Sequence, residues 1–285
     1  MGHVYIAEVR VRHDDLDAFG RAYPSAYLRH LAQVAIDAST DAGFDSSWYA
    51  AVGARWLVRR TTFAVTRPSR ADDALRVRTW VEDFRRVRSR RRYEVHVDEA
   101  PALTAVTDWV FVDVATGRPR RVPDELETRF GMTIDGGAPR TPWRAPAPPA
   151  EPGRSSYRVR WAELDSLGHM NNAAYLDLLV QGTLDVLGGL GWGIDRLAQD
   201  GAAPYVASGD VEYLDEVRHG ERLETVTWFA AVPHGLDVHQ RAARVVDGSA
   251  VVQATTGWRW ADARSDAPAD PPRQLATALR PFLAA

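Results

Sequence analysis

Apolar and polar positions follow two periods along this chain, and the two periods recur in the same order twice. Val9 and Val11, and later Tyr157, Val159 and Trp161, alternate as in a half-buried strand. Leu28, Leu31, Val34, Ala35 and Ala38 return at helical spacing, with Pro24 suited to a first turn and Gly43 able to stop the helix. A second helix is predicted from Asn171 or Asn172 through Tyr175, Leu176, Leu179 and Leu184 to Gly188-Gly189. Strands are predicted after each helix: Leu75 to Val81, Arg91 to Val97 and Leu103 to Val112, then Arg222 to Ala230, Val238 to Val246 and Val251 to Trp260. A short terminal helix is read from Arg273 to Leu283, after a loop from Ala261 to Pro272. One helix followed by a meander of long strands predicts an α+β architecture, an antiparallel sheet curled around a single helix.

The recurrence is an internal duplication. Asp17-Ala18-Phe19-Gly20 maps onto Asp165-Ser166-Leu167-Gly168 at an offset of 148 residues (17 to 165). The same offset carries Tyr27-Leu28 onto Tyr175-Leu176, Leu75 onto Leu223 and Thr79-Trp80 onto Thr227-Trp228. Thr107-Asp108-Trp109 meets Thr256-Gly257-Trp258 one residue out of register. The expected organisation is a first domain over residues 1–135, a Pro-rich linker over 136–156 and a second domain over 157–285. Pro139, Pro142, Pro146, Pro148, Pro149 and Pro152 make that linker semi-stiff and extended.

Composition narrows the chemistry. The 285 residues include no cysteine, and all 35 basic residues are arginine. Thiolate nucleophiles, disulfides, Schiff-base lysines and a P-loop lysine are thereby excluded. A formal net charge of −3 argues against nucleic acid or anionic membranes as partners. No apolar run of about 18 residues predicts a membrane span, and no secretory signal is visible at Met1-Gly2-His3-Val4, so a cytoplasmic location is expected.

The most informative stretch runs from Arg160 to Leu176. It places Asp165 and His169 on the loop feeding the second helix. A helix N-terminus presents amides without intrahelical partners and partial positive charge, which polarise a carbonyl and stabilise an oxyanion. A carboxylate beside it can activate water or attack, and an imidazole can orient or protonate.

The spacing Asp165, Gly168-His169-Met170-Asn171-Asn172, Tyr175 resembles the motif of hot-dog thioesterases of the 4-hydroxybenzoyl-CoA thioesterase superfamily. The paired layout is similar to acyl-acyl-carrier-protein thioesterases, which implies a tandem double hot-dog. The resemblance implies hydrolysis of acyl-CoA or an acyl-carrier-protein thioester, without a cofactor or a metal, by a monomer or homodimer. Carried over by position, Asp165 matches the catalytic aspartate, His169 the histidine, and Glu216 a glutamate that follows the Val211-Glu212-Tyr213 strand. Gly168, Asn171 and Asn172 would contact substrate. Leu167 departs from the pattern, which has an asparagine there. In the first half Asp17 matches the aspartate, but Arg21 stands for His169, Tyr23-Pro24 for Asn171-Asn172 and Pro68 for Glu216. The first cleft is therefore either degenerate or dependent on Asp17 alone.

Simpler roles compete at each position. Asp165 and Asp17 are good turn formers, Asn171 and Asn172 good helix caps, and Glu216 can be a surface charge. The run Arg85 to Arg92, with Arg88 at its centre, reads as a solvated hairpin tip or as a landing site for coenzyme A phosphates. An enoyl-thioester hydratase or dehydratase, or a non-catalytic acyl-thioester binding protein, is the alternative function on the same fold.

Overall fold

The computed structural model describes residues 2–131 and 141–284. Its contacts divide the chain into two compact units, Met1–Asp15 with Ala26–Pro142, and Leu16–Ser25 with Trp143–Ala285.

The elements of the first half are β1 (Val4–Arg10), α1 (Pro24–Asp41), α2 (Ser46–Val52), β2 (Ala54–Val65), β3 (Ala74–Arg85), β4 (Arg88–Val97), β5 (Ala100–Asp113) and α3 (Asp124–Phe130). Its strands pair antiparallel in the order β1-β3-β4-β5-β2. Strand β3 buries Leu75, Val77, Thr79 and Val81 and turns the residues between them outward, as the alternation requires. Helix α1 buries Leu28, Leu31, Val34, Ala35 and Ala38 along one stripe and exposes Arg29 and Gln33. A second cluster, Phe44, Phe111, Leu126 and Phe130 among others, joins α3 to the sheet.

The second half repeats the plan with β6 (Gly153–Arg158), α4 (Asn172–Gly189), α5 (Ile194–Gln199), β7 (Ala202–Tyr213), β8 (Arg222–Val232), β9 (Gly235–Arg244), β10 (Ala250–Asp262), β11 (Pro268–Ala269) and α6 (Arg273–Ala278). The order β6-β8-β9-β10-β7 matches the first sheet strand for strand, with β11 added beside β10. Helix α4 lies close on this sheet. Gln240 donates to the Leu179 carbonyl at 2.8 Å and to Thr227 Oγ1 at 3.0 Å. A side chain at Gly182 would meet Ser155 Oγ at 3.1 Å and Gln240 Nε2 at 3.2 Å, so glycine permits the approach.

The sequence pattern misses β2 and all of β7 but its end at Val211–Tyr213, which only the resemblance supplied. Pro204, Gly209 and Asp210 dilute the apolar alternation of β7, while arginines and threonines do so in β2, and both strands are held by pairing with β10 and β5. Trp161, expected on a half-buried strand, sits on a 3-10 turn (Trp161–Glu163) and is 78% exposed, because β6 ends at Arg158. The terminal helix is shorter than expected: α6 ends at Ala278, and Pro281, which lacks an amide donor, lies in a separate 3-10 turn.

The Pro-rich stretch also differs from its expectation. Residues 136–140 of the 136–156 stretch, with Pro139, lie outside the described residues, and β6 already begins at Gly153. The remainder before β6 forms no regular element and is anchored on the second sheet. Trp143 is buried, donates from Nε1 to Thr255 Oγ1 at 3.2 Å and lies under the Arg241 guanidinium at 5.3 Å. The Pro146 carbonyl accepts from Trp228 Nε1 at 3.1 Å.

Thr255 links Trp143 to His239. Thr255 Oγ1 accepts from Trp143, so its own proton goes to His239 Nδ1 at 2.9 Å. The remaining ring nitrogen, Nε2, is buried without a partner among the described residues. Burial lowers the His239 pKa, against an opposing pull from Asp237. Below the ordinary histidine pKa of about 6.5 the unfolded chain takes up a proton that the folded one resists. Stability from this site is full above that pH and is lost as the pH falls towards the lowered folded value. Urea denaturation of wild type and His239→Gln at pH 7 and pH 5 checks this: wild type is expected to lose more stability over that interval than the variant.

Candidate active site

Three segments of the second unit build the site: the hairpin from Leu164 to Met170, the start of α4, and the loop from Leu214 to Glu221. In the hairpin the Asp165 amide donates to the His169 carbonyl at 2.8 Å and the Gly168 amide to the Asp165 carbonyl at 3.0 Å. Gly168 has φ of 77°, the left-handed conformation that glycine adopts without strain. The half-buried Asp165 accepts the Leu167 amide on Oδ1 at 2.8 Å. Its turn-forming role and its availability for chemistry therefore coexist, since one carboxylate has several acceptor positions.

The hairpin is tied down on both sides. The Asn171 amide donates to the Glu163 carbonyl at 2.8 Å, and the Met170 amide to the Val217 carbonyl at 2.7 Å. Glu163 accepts from the Arg160 amide and guanidinium at 2.8 and 2.7 Å and from the Tyr157 hydroxyl. Burial, and then Glu163, push the Tyr157 pKa up to about 12, which keeps that hydroxyl a donor.

Asn171 caps α4. Its side chain accepts the Ala173 amide and its carbonyl the Ala174 amide, each at 2.9 Å. The expectation of open first-turn amides is thus corrected at these two positions, where the residue named as a substrate contact fills them itself. Asn172 opens the helix and is partly exposed.

His169 is 7% exposed and joins the predicted Glu216. His169 Nδ1 lies 3.0 Å from Glu216 Oε2. Its Nε2 lies 3.1 Å from Arg218 Nη2, which also donates to Glu216 Oε1 at 3.0 Å. A guanidinium only donates, so Nε2 carries the lone pair and Nδ1 the proton given to Glu216. The ring is held in one orientation, between a carboxylate and a cation.

Two further residues fix the loop that carries Glu216. The Tyr175 hydroxyl donates to the Asp215 carbonyl at 3.1 Å, and burial pushes its pKa up. Arg244 donates to Glu221 at 2.6 Å, to Asp215 at 2.7 Å and to the Glu216 carbonyl. Arg218 and Arg244 are absent from the sequence reading. The first had a faint signal, standing two residues past Glu216 on the same side of an extended segment.

The first-half hairpin has the same skeleton. The Asp17 amide donates to the Arg21 carbonyl at 2.7 Å, the Gly20 amide to the Asp17 carbonyl at 3.0 Å, and Gly20 has φ of 71°. Asp17 Oδ1 accepts the Phe19 and Arg21 amides at 2.8 and 3.0 Å. Arg21 does not reproduce a site. Its guanidinium is buried on Asp266 Oδ1, at 3.1 Å from Nε and 2.5 Å from Nη2, and on the Ala203 carbonyl at 3.1 Å.

The arginine run is solvated only at its tip. Arg85, Arg86 and Arg88 are exposed, but Arg90 forks onto Asp108 at 2.8 and 3.1 Å and Arg92 bonds Glu82. Arg91 is buried over the Phe130 ring at 5.3 Å, and burial lowers its pKa. Neighbouring strands supply the counter-charges for Arg90 and Arg92, which the linear sequence hides. Among the described residues no group of three or more His, Asp or Glu is placed to hold a metal ion, and no helix is long and apolar enough to cross a membrane.

Comparison with known proteins agrees with this architecture. A model of the acyl-ACP thioesterase N-terminal domain matches residues 2–130, and one of the thioesterase-like superfamily matches residues 159–279. An acyl-[acyl-carrier-protein] hydrolase of Cuphea viscosissima is 23% identical over 276 residues, covering 90% of this chain but only 63% of the relative. A palmitoyl-acyl carrier protein thioesterase of Gossypium hirsutum is 24% identical, covering 94% of this chain and 67% of its own length. The chain therefore spans about two thirds of these relatives. Among solved structures, a putative oleoyl thioesterase from Lactobacillus plantarum has a TM-score of 0.76 at 19% identity, covering 90% of this chain and 96% of its own. A 12:0-ACP thioesterase from Umbellularia californica has a TM-score of 0.72 at 19% identity, covering 91% and 95%. The shared fold is the double hot-dog.

Proposed function

We propose that this chain, each half of which falls among the thioesterase hot-dog families, hydrolyses acyl thioesters at the second-half hairpin. The observation that carries the reading is the convergence of Asp165, His169 and Glu216 on one hairpin and one facing loop at the start of α4. Water adds to the thioester carbonyl as Asp165 takes its proton. The tetrahedral intermediate collapses with cleavage of the C–S bond, and the leaving thiolate is protonated, giving a carboxylic acid and a free thiol. His169, oriented by Glu216, serves the proton transfers. The first half has Arg21 and Pro68 at the positions of His169 and Glu216, so turnover is assigned to Asp165.

The carrier is coenzyme A or an acyl-carrier protein. Purified protein incubated with a panel of acyl-CoAs of increasing length and one acyl-carrier-protein thioester is expected to release free thiol, read with a thiol reagent. Release from none of them, by folded protein, overturns the reading.

A further inference from the structure

Arg218 does something that neither the turn nor the fold requires. It occupies His169 Nε2, the one nitrogen of that ring able to take a proton, at 3.1 Å. While that lone pair accepts from a guanidinium it has no room for a proton from substrate or water, so the site as it stands is capped. The cap is weakly held, since the Arg218 side chain is 62% exposed and its other partner, Glu216, is 42% exposed. Ion pairs this open contribute little and exchange readily.

The surroundings favour an anion as the group that displaces it. Arg158 and Arg222 face each other across β6 and β8, both exposed, with no acidic partner for either among the described residues. Like charges directly opposite on a sheet destabilise it unless something shields them. The segment Val217–Gly220 joins this pair to the site: the Gly220 amide donates to the Val159 carbonyl at 3.0 Å, and a Cβ at Gly220 would lie 4.0 Å from Arg158 Nη2. The nearby Glu221 is already engaged by Arg244 at 2.6 Å and by the Arg218 amide at 2.8 Å.

We propose that Arg218 is a substrate-released cap: it seals His169 Nε2 in the free protein and moves onto the phosphate of the thioester's carrier arm, gathered by Arg158 and Arg222, when substrate arrives. Arg218 is thus a positioning residue that acts through His169. The inference rests on the thioesterase reading and adds to it a requirement for the phosphate. Guanidinium forks match phosphate oxygens, which gives Arg218 a better partner than the ring nitrogen.

The test compares two thioesters of one acyl chain, on pantetheine and on 4′-phosphopantetheine. Wild type is expected to favour the phosphorylated carrier at least about tenfold in kcat/KM. Arg218→Gln is expected to raise kcat on the unphosphorylated thioester and to lower kcat/KM on the phosphorylated one. A residue that merely supports the fold would lower both alike, and that result, or no change in either, overturns the proposal. Nitrogen-15 NMR of the His169 ring gives a readout free of turnover. Adding 4′-phosphopantetheine is expected to shift Nε2, and adding pantetheine is not; equal response to both, or to neither, overturns the cap. A phosphate-specific shift in a protein that hydrolyses no thioester would instead sink the hydrolase reading and leave the cap standing.

Discussion

Replacing Asp165 with asparagine is expected to lower kcat/KM for thioester hydrolysis by about 10²–10⁴-fold, the range for loss of a positioned general base. The fold is expected to survive. The Leu167 amide is held at 2.8 Å by a carbonyl-type oxygen that asparagine also presents, so the turn keeps its bond and loses only its basicity. Asp17→Asn makes the identical change in the matching hairpin, where Oδ1 holds the Phe19 and Arg21 amides. Its rate is expected to stay close to that of wild type. Kinetics and thermal denaturation of the pair distinguish chemistry from turn formation. If Asp17→Asn alone abolishes turnover, the working site has been assigned to the wrong half.

Arg21→Met is expected to have the largest effect on stability, about 2–4 kcal/mol, from its lost hydrogen bonds and incompletely filled space. Arg21 is 1% exposed and its guanidinium makes three hydrogen bonds to two partners. Removing it strands the buried Ala203 carbonyl. The figure stays below that of a fully buried pair because Asp266 is 41% exposed and can turn to water. A fall in the urea midpoint with an unchanged m-value confirms it, and an unchanged midpoint refutes it. Asp266→Asn, which keeps an acceptor, is expected to cost less. Arg21→His is not expected to create a second activity, since Pro68 stands where Glu216 would have to be.

The duplication was legible because it was written at a nearly constant offset and reappears in three dimensions as two hairpins with the same bonds. Asp17 and Asp165 each receive a glycine amide on their carbonyl, and that glycine has positive φ in both. Asn171 was legible as a cap because its side chain acts locally. Most of strand β7 was not legible, since ladder bonds to β10 carry it despite Pro204 and Gly209. The burial of Arg90 was hidden for a related reason: its partner Asp108 is directly opposite on β5 but distant in sequence. In the site, Asp165, His169 and Glu216 could be proposed from a motif. Arg218 and Arg244 could not, because what distinguishes them is which atoms they occupy.

The anchored Pro-rich segment decides where the second half can be cut free. A fragment starting at Tyr157, the apparent domain edge in the sequence, would lack the indole that donates to Thr255, the carbonyl that receives Trp228 and the first four residues of β6. It would leave Thr255 without its indole donor and keep only two residues of an edge strand, inviting aggregation. A fragment meant to fold would have to begin before Trp143, and would still be missing the Leu16–Ser25 stretch that supplies Arg21.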